Sequence, residues 1–356
     1  MRKLLTLCVA VIALSCSSRP ALVSRKAFQG EVSGVPIDLY TLQNRDITVQ
    51  VTNFGARVVS MYTRDRDGNY ADIVVGHDNL DAYVKPAGER FLGATVGPVA
   101  NRIRNASFKM EGEAWHTDAN ENGVTTLHGG YRGLDMCPWT VESHTDTSIT
   151  LSLLLPHGHD GFPGNRNLTI TYSISHEDFR VVIEGTTNKR TILNIAHHPF
   201  FCLRGEGNGT VNDYLMTIHA QAYTPVDSLL IATGEIAPVE GTPFDFRSAR
   251  PIGDFEYDNN WCLDGEGFRS VCMVKDPVTG RTVEVITDQP GLQVYSGNFF
   301  NGSENGKNGK PLTYRSSLVL EAQAWPDAIN HPNFPSIEIA PTQTYRSNTI
   351  FRFGAE

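Results

Sequence analysis

The sequence predicts an all-β domain, a sandwich or barrel of many short strands. Three observations carry that reading. Short runs rich in Val, Ile, Thr and aromatic residues recur along the chain. Most are bounded by Gly, Pro, Asn or Asp, and the 32 Gly and 19 Pro are spread through the chain. Amphipathic helical periodicity is nearly absent. Numerous strands with so few helices can bury their apolar faces by packing sheet on sheet or by closing a sheet on itself.

The chain opens with Arg2-Lys3, an apolar run from Leu4 to Leu14, and Ser15-Cys16. A charged start and a short apolar stretch form an export signal, and the stretch is too short to span a bilayer. The junction resembles the lipobox of bacterial lipoproteins, whose cysteine becomes the lipidated first residue, although Ala13 stands where leucine is usual. Residues 1–16 are therefore expected to be a signal of lipoprotein type with Cys16 lipidated, and residues 17–27 a tether. Plain secretion is the competing reading. The expected location is outside the cytoplasm of a bacterium, periplasmic or membrane-anchored, with the lipid as the sole membrane contact. No later stretch is long and apolar enough to cross.

Residues 28–356 read as one continuous domain without repeat or linker. Ile47–Val51 and Val58–Tyr62 are strands, a turn follows at Asp65-Arg66-Asp67-Gly68, and Asp72–Gly76 is a further short strand. Residues 148–155, 168–175, 179–185, 281–287 and 293–297 also read as strands. Past the leader, four cysteines remain: Cys137, Cys202, Cys262 and Cys272. None makes a C-x-x-C pair, so no zinc site is expected on them. An exported protein can oxidise them, but their spacing chooses no pairing. With 30 Lys and Arg against 39 Asp and Glu, the formal net charge is -9 and no basic stripe appears, so nucleic acid is not an expected partner.

Chemistry-bearing residues sit where apolar runs meet polar ones. Ser316-Ser317-Leu318-Val319-Leu320 is an apolar strand followed by Glu321, and Pro326-Asp327 stops it. A carboxylate at the end of a buried strand is costly unless paired or used, and otherwise faces water at the rim. Asn194-Ile195-Ala196-His197-His198-Pro199 has the same form, and adjacent strand residues face apart, so one of the two imidazoles at most reaches a given pocket. A carboxylate and an imidazole on two strand ends make an acid–base pair.

Four further stretches supply candidates. Gly93 to Ile103 brings Asn101 and the donor fork of Arg102, which suit a polyhydroxylated ligand; without a following Gly-Lys-Ser/Thr it is no phosphate loop. Leu127-His128-Gly129-Gly130 sets an imidazole among glycines, and Trp139 is a candidate apolar wall. His157-Gly158-His159-Asp160 has metal-ligand types but reads as a turn near the ligand rim. Tyr257-Asp258-Asn259-Asn260-Trp261-Cys262-Leu263 places Asp258, able to accept sugar hydroxyls, before an apolar strand.

Together these stretches resemble the aldose 1-epimerase (galactose mutarotase) family from about residue 28 to 353. The likeness rests on Asn53-Phe54-Gly55-Ala56, Ala100-Asn101-Arg102-Ile103, Leu127-His128-Gly129-Gly130, the segment ending in His198, Asp258 to Leu263, and Glu321-Ala322-Gln323 through Pro326-Asp327-Ala328. Each is weak alone, and their order and spacing are specific. The resemblance implies a β-supersandwich with a sugar in an open cleft. It implies Glu321 as general base, His198 as general acid, His128 as the other imidazole at the sugar, and Arg102, Asp258 and Asn101 as grips on ring hydroxyls. It also implies small-molecule aldoses such as galactose and glucose as partners, no metal and no cofactor, and a monomer is the expected state. Three departures are visible: His197 where the family usually has Asn, Phe200-Phe201-Cys202-Leu203 where it has Tyr-Phe-Asn-Leu, and Ala322 where it has Thr. None removes a catalytic group, but they bear on which sugar is preferred.

The implied reaction opens the sugar ring. A base removes the anomeric hydroxyl proton, an acid protonates the ring oxygen, and the open aldehyde rotates and closes on either face. The expectation is that base and acid stand on opposite sides of the ring. A hexose-6-phosphate 1-epimerase would want further clustered basic residues, and no convincing cluster accompanies Arg102 and Arg104. A non-catalytic sugar-binding protein has no need of both Glu321 and His198. A lyase or glycosidase usually needs two carboxylates about the bond, and only Glu321 and Asp258 are candidates.

Overall fold

The structure, a computed structural model, describes residues 21–356. The proposed leader and Cys16 lie outside the described residues. Among the described residues, strands dominate and the one α-helix is the short Leu80–Val84, capped by the Asn79 side chain accepting from the Ala82 N–H at 3.0 Å. No helix among these residues is long and apolar enough to cross a membrane.

Three antiparallel sheets carry the architecture. The largest has nine strands, in spatial order Thr140–His144, Ser148–Leu155, Arg166–Ser175, Asp178–Thr187, Tyr345–Ala355, Arg281–Thr287, Arg269–Lys275, Leu215–Ile218 and Arg250–Pro251. A six-stranded sheet runs Phe200–Phe201, Leu318–Gln323, Gly291–Tyr295, Asp258–Leu263, Ala220–Thr224 and Ala237–Pro238. A four-stranded sheet runs Leu39–Gln43, Thr48–Thr52, Arg57–Arg64 and Tyr70–Asp72. One apolar cluster takes side chains from all three, including Val49 and Val58, Ile170 and Val181, and Leu292 and Leu320. Period-two alternation makes this possible: each strand gives one face to the shared core and keeps the other for water or a site.

Most of the expected strands are present, with ends moved by a residue or a few. One is not. The strand expected at Asp72–Gly76 ends at Asp72, and beyond it only Val74 pairs, in an isolated bridge with Phe201. Its apolar residues serve the core rather than a ladder: Ile73 and Val74 are fully buried. Residues of the expected tether are held on the domain, with the Val23 N–H and carbonyl bonded to the Gln50 amide at 2.9 and 3.0 Å. A 3-10 turn at Arg25–Phe28 then buries Phe28. Cys137, Cys202, Cys262 and Cys272 are all free thiols and all buried.

Candidate active site

Alternation on three neighbouring strands of the six-stranded sheet builds one wall of a cleft. Leu318 and Leu320 point into the core, so Glu321 between Leu320 and Ala322 points away from it. Gln293 lies directly opposite Glu321, Asn260 opposite Gln293, and Asp258 opposite Tyr295. Residues paired across a ladder share a face. Glu321, Gln293, Tyr295, Asn260 and Asp258 therefore form one polar face, backed by Leu292, Val294 and Trp261 in the core. The strand does not end at Glu321; it continues to Gln323 and holds the carboxylate inside the ladder, 2% exposed. A rim position facing water is thereby excluded.

The facing wall comes from loops pinned by two short ladders. Thr95–Val96 pairs with Ala196–His197, and the His198 N–H donates to the Ala94 carbonyl at 2.8 Å. Arg102–Ile103 pairs with Thr126–Leu127. That pairing sets His128 against Asn101: the His128 N–H donates to the Asn101 carbonyl at 2.9 Å, and the Asn101 N–H donates to His128 Nδ1 at 3.1 Å. With Nδ1 accepting, the hydrogen of the neutral ring sits on Nε2. Both residues are left-handed, with φ of 59° and 50°. Gly129 follows at φ 92°, where a Cβ would stand 2.0 Å from the Gly97 carbonyl oxygen, so this turn requires glycine.

Where these two walls meet, His198 Nε2 and Glu321 Oε1 are 3.5 Å apart. The His198 ring packs at 5.0 Å from Phe200 and 5.2 Å, edge-on, from His128. His198 Nδ1 and Glu321 Oε2 are buried without a hydrogen-bond partner. Burial pushes the Glu321 carboxyl well above the usual carboxylate range, with Asp258 adding to the rise and Arg102 opposing it. Burial likewise pushes His198 down to about 3, with His197 and Arg57 adding to the fall. His128 is lowered by burial first, then by His198 and Arg102. Arg102 is gripped by Glu121 through two bonds of 2.8 Å and stands 3.6 Å from Asp258. Gln293 donates to Asp258 at 2.7 Å and leaves its own carbonyl oxygen unpaired.

The six expected site residues, Asn101, Arg102, His128, His198, Asp258 and Glu321, all line one cleft of about 160 Å³. Asn101 acts partly on the protein itself, its side-chain oxygen accepting from the Arg102 N–H at 2.9 Å. Three expectations change. Trp139 is no cleft wall: it is fully buried in the main core, its indole N–H bonded to the Leu134 carbonyl at 3.2 Å. The aromatic walls are instead Phe91, Tyr295 and Phe299. The His157–Asp160 turn lines no part of the cleft; Asp160 there is buried against Arg132. His198 and Glu321, expected on opposite sides of a sugar ring, also stand side by side, with 3.5 Å between Nε2 and Oε1.

His197 and His198 face apart as alternation requires, with His197 among Tyr172, Phe179 and Phe351 in the core. Sequence reasoning missed Glu89, Phe91, Glu121, Gln293, Tyr295 and Phe299. Gln293 and Tyr295 alternate within an expected strand, which was the available signal.

Residues 38–352 match the family model for aldose 1-epimerase. The chain is 36% identical over 343 residues to human galactose mutarotase, covering 94% of this chain and 99% of that one. It is 32% identical over 340 residues to the aldose 1-epimerase of Escherichia coli K12, covering 91% of this chain and 97% of that one. Among solved structures, an aldose epimerase homologue from C. elegans superimposes with a TM-score of 0.83 at 25% identity, covering 89% of this chain and 98% of that one. A galactose 1-epimerase from Lactobacillus acidophilus NCFM gives 0.79 at 25% identity, covering 92% and 97%. Fold and cleft thus define a carbohydrate-acting β-supersandwich. Within that class the chain belongs to the aldose 1-epimerase family, and it is an isomerase that interconverts sugar anomers.

Proposed function

We propose that Glu321 and His198 exchange protons with the anomeric and ring oxygens of a free hexose such as galactose or glucose. The observation that carries this is their placement, 3.5 Å apart in one cleft, each with a buried atom lacking a partner. In opening, Glu321 takes the anomeric hydroxyl proton and His198 gives a proton to the ring oxygen as the bond from that oxygen to the anomeric carbon breaks. The aldehyde rotates about its first carbon–carbon bond. In closure the ring hydroxyl returns its proton to His198 and Glu321 returns one to the new anomeric oxygen. The neutral pair and the charged pair hold the same single proton, so bulk pH does not choose between them. The sugar's own oxygens do so by offering the charged forms hydrogen bonds.

His128 Nε2–H donates to a sugar oxygen in this reading, and Arg102, Asp258 and Asn101 hold hydroxyls. The Arg102 charge is already met by Glu121 and Asp258, and among the described residues it is the one Arg or Lys lining the cleft. A phosphate would enter against Glu89, Glu121, Asp258 and Glu321, which favours neutral sugars over hexose 6-phosphates. We extend the proposal to export with lipidation at Cys16, supported by Arg2-Lys3, the apolar run and Ser15-Cys16. Fatty-acid labelling in a bacterium should disappear in Cys16→Ala; undiminished label overturns that part. For the reaction, optical rotation of freshly dissolved α-galactose and α-glucose should relax faster with the protein. Relaxation at the uncatalysed rate rejects the proposal.

A further inference from the structure

Glu89 belongs to none of the groups assigned so far, yet it lines the sugar cleft and an adjoining cavity of about 370 Å³. It stands at the partition between the two, with Phe91 and Phe299. Its Oε1 accepts from the Phe91 N–H at 2.9 Å. Among the described residues its Oε2 meets no donor, and that oxygen is not sealed from solvent.

The backbone that presents Glu89 is tied down from a distant loop. The Glu89 N–H donates to Glu304 Oε2 at 2.9 Å, and Glu304 Oε1 lies 3.2 Å from His77 Nε2. His77 is in turn fixed by its N–H donating to the Tyr83 hydroxyl at 2.8 Å. Close approach is built in: a Cβ on Gly88 would stand 2.5 Å from Glu304 Oε2. Three separate segments, at 77, 88–91 and 304, are thus spent on holding one carboxyl at the cleft. A carboxyl that lines a polar cleft with one oxygen bonded to backbone and the other without a donor is an acceptor waiting for a hydroxyl. Burial pushes this group up to about 7, with the Phe91 N–H opposing and Glu304 adding to the rise.

Resting on the reading of Glu321 and His198 given above, we infer that Glu89 contacts one sugar hydroxyl and sets which aldoses the cleft prefers. The Glu304–His77 pair acts as a positioning element for it. A site that offers a buried partner to one hydroxyl discriminates strongly against sugars lacking that hydroxyl in place.

The test measures kcat and KM separately for Glu89→Gln and Glu89→Ala on glucose, galactose and a series of monodeoxy hexoses, one hydroxyl removed at a time. Glu89→Ala should raise KM for the full sugars by about tenfold or more while kcat stays within about threefold. For one monodeoxy hexose that penalty should vanish, because the contact is already lost. Glu304→Gln should raise KM in the same direction by less, with the same sugar dependence. Equal KM penalties across every monodeoxy hexose, or no penalty at all, overturn the inference. Glu89→Gln keeps shape, so a folded protein is in hand even if Glu89→Ala fails. Glu321→Gln run beside it separates the two readings: if that variant stays active, the base assignment fails, whereas its loss of activity beside sugar-independent Glu89 effects fails this inference alone.

Discussion

Two clusters of buried charge can be compared in this molecule. Around Lys307, which is 1% exposed, Nζ donates to the Val59 and Val74 carbonyls at 2.7 and 2.9 Å. It also lies 3.3 Å from Asp72 and 3.4 Å from Glu206. Burial is the largest influence on it and acts to lower its pKa, but Asp72 and Glu206 outweigh that and the net shift is upward. Glu206 in turn accepts from the Lys307 N–H at 3.1 Å. Every group there has its partner. Around Glu321 and His198 the burial is as deep, yet Glu321 Oε2, His198 Nδ1 and the Gln293 oxygen are left without one. Buried polar atoms without partners cost stability, and those of Glu321 and His198 belong to residues that line the cleft, within reach of a bound molecule. The saturated cluster is expected to stabilise the fold, and in the proposal above the unsaturated one is where a substrate completes the bonding.

The sharpest way to break this comparison is at the unsaturated cluster. Glu321→Gln keeps size and cannot take a proton, so turnover should fall roughly a hundred-fold or more. His198→Asn should do likewise, and the double variant should lose little beyond either single one. Thermal stability of Glu321→Gln should be unchanged or higher, because the cost of burying a carboxyl is removed. A folded Glu321→Gln protein with parent-like mutarotation would end the assignment.

The saturated cluster should answer in the opposite sense. Lys307→Met leaves Asp72 and Glu206 without their cation, and breaking such a buried pair costs about 3–5 kcal/mol. Urea midpoints should drop accordingly, while kcat of the protein that remains folded stays near the parent's. A large kcat loss with unchanged stability would reverse the roles of the two clusters.

A milder effect separates the neighbouring imidazoles. Burial pushes His197 down to about 3, with the Ala94 backbone opposing. In the unfolded chain it titrates near 6.5. Its folded pKa is the lower one, so its contribution is fully present above about 6.5 and is lost as pH falls toward about 3. Below the unfolded pKa the loss is about 1.4 kcal/mol per pH unit. His197→Phe should flatten the stability profile in that window without touching the cleft. An unchanged profile would show that His197 takes up its proton in the fold as readily as in the unfolded chain.

Much of this was legible from residues alone. Leu318 to Gln323 announces its two faces by alternation, and Asn194 to Pro199 shows that only one of His197 and His198 can reach a cleft. Asn101, Arg102, His128 and Asp258 are chemically conspicuous among glycines or before apolar runs. What stayed hidden depends on which strand lies beside which. Gln293 matters because the register puts it opposite Glu321 and Asn260, and no local signal sets that register. Glu89 and Phe91 matter because loop packing turns them to the cleft. Trp139 looked like a cleft wall because an aromatic residue in sequence does not say which side it packs on.

The smallest expected effect is a null one, and it follows from a tautomer. His128, His198 and Glu321 each offer a ligand-type atom within 4.8 Å of the others, a set that resembles a metal centre. The Asn101 N–H occupies His128 Nδ1, which leaves the ring hydrogen on Nε2, and a nitrogen bearing a hydrogen has no lone pair for a cation. With His128 withdrawn, His198 and Glu321 remain, fewer than the three protein ligands a catalytic zinc site takes. The same Nε2–H is well suited to donate to a sugar oxygen. Exhaustive chelation should therefore leave mutarotation of galactose unchanged, and added zinc should not raise it. Activity lost to a chelator and restored by one metal would show that the Asn101–His128 bond opens, and that the cleft binds an ion where a sugar hydroxyl is placed above.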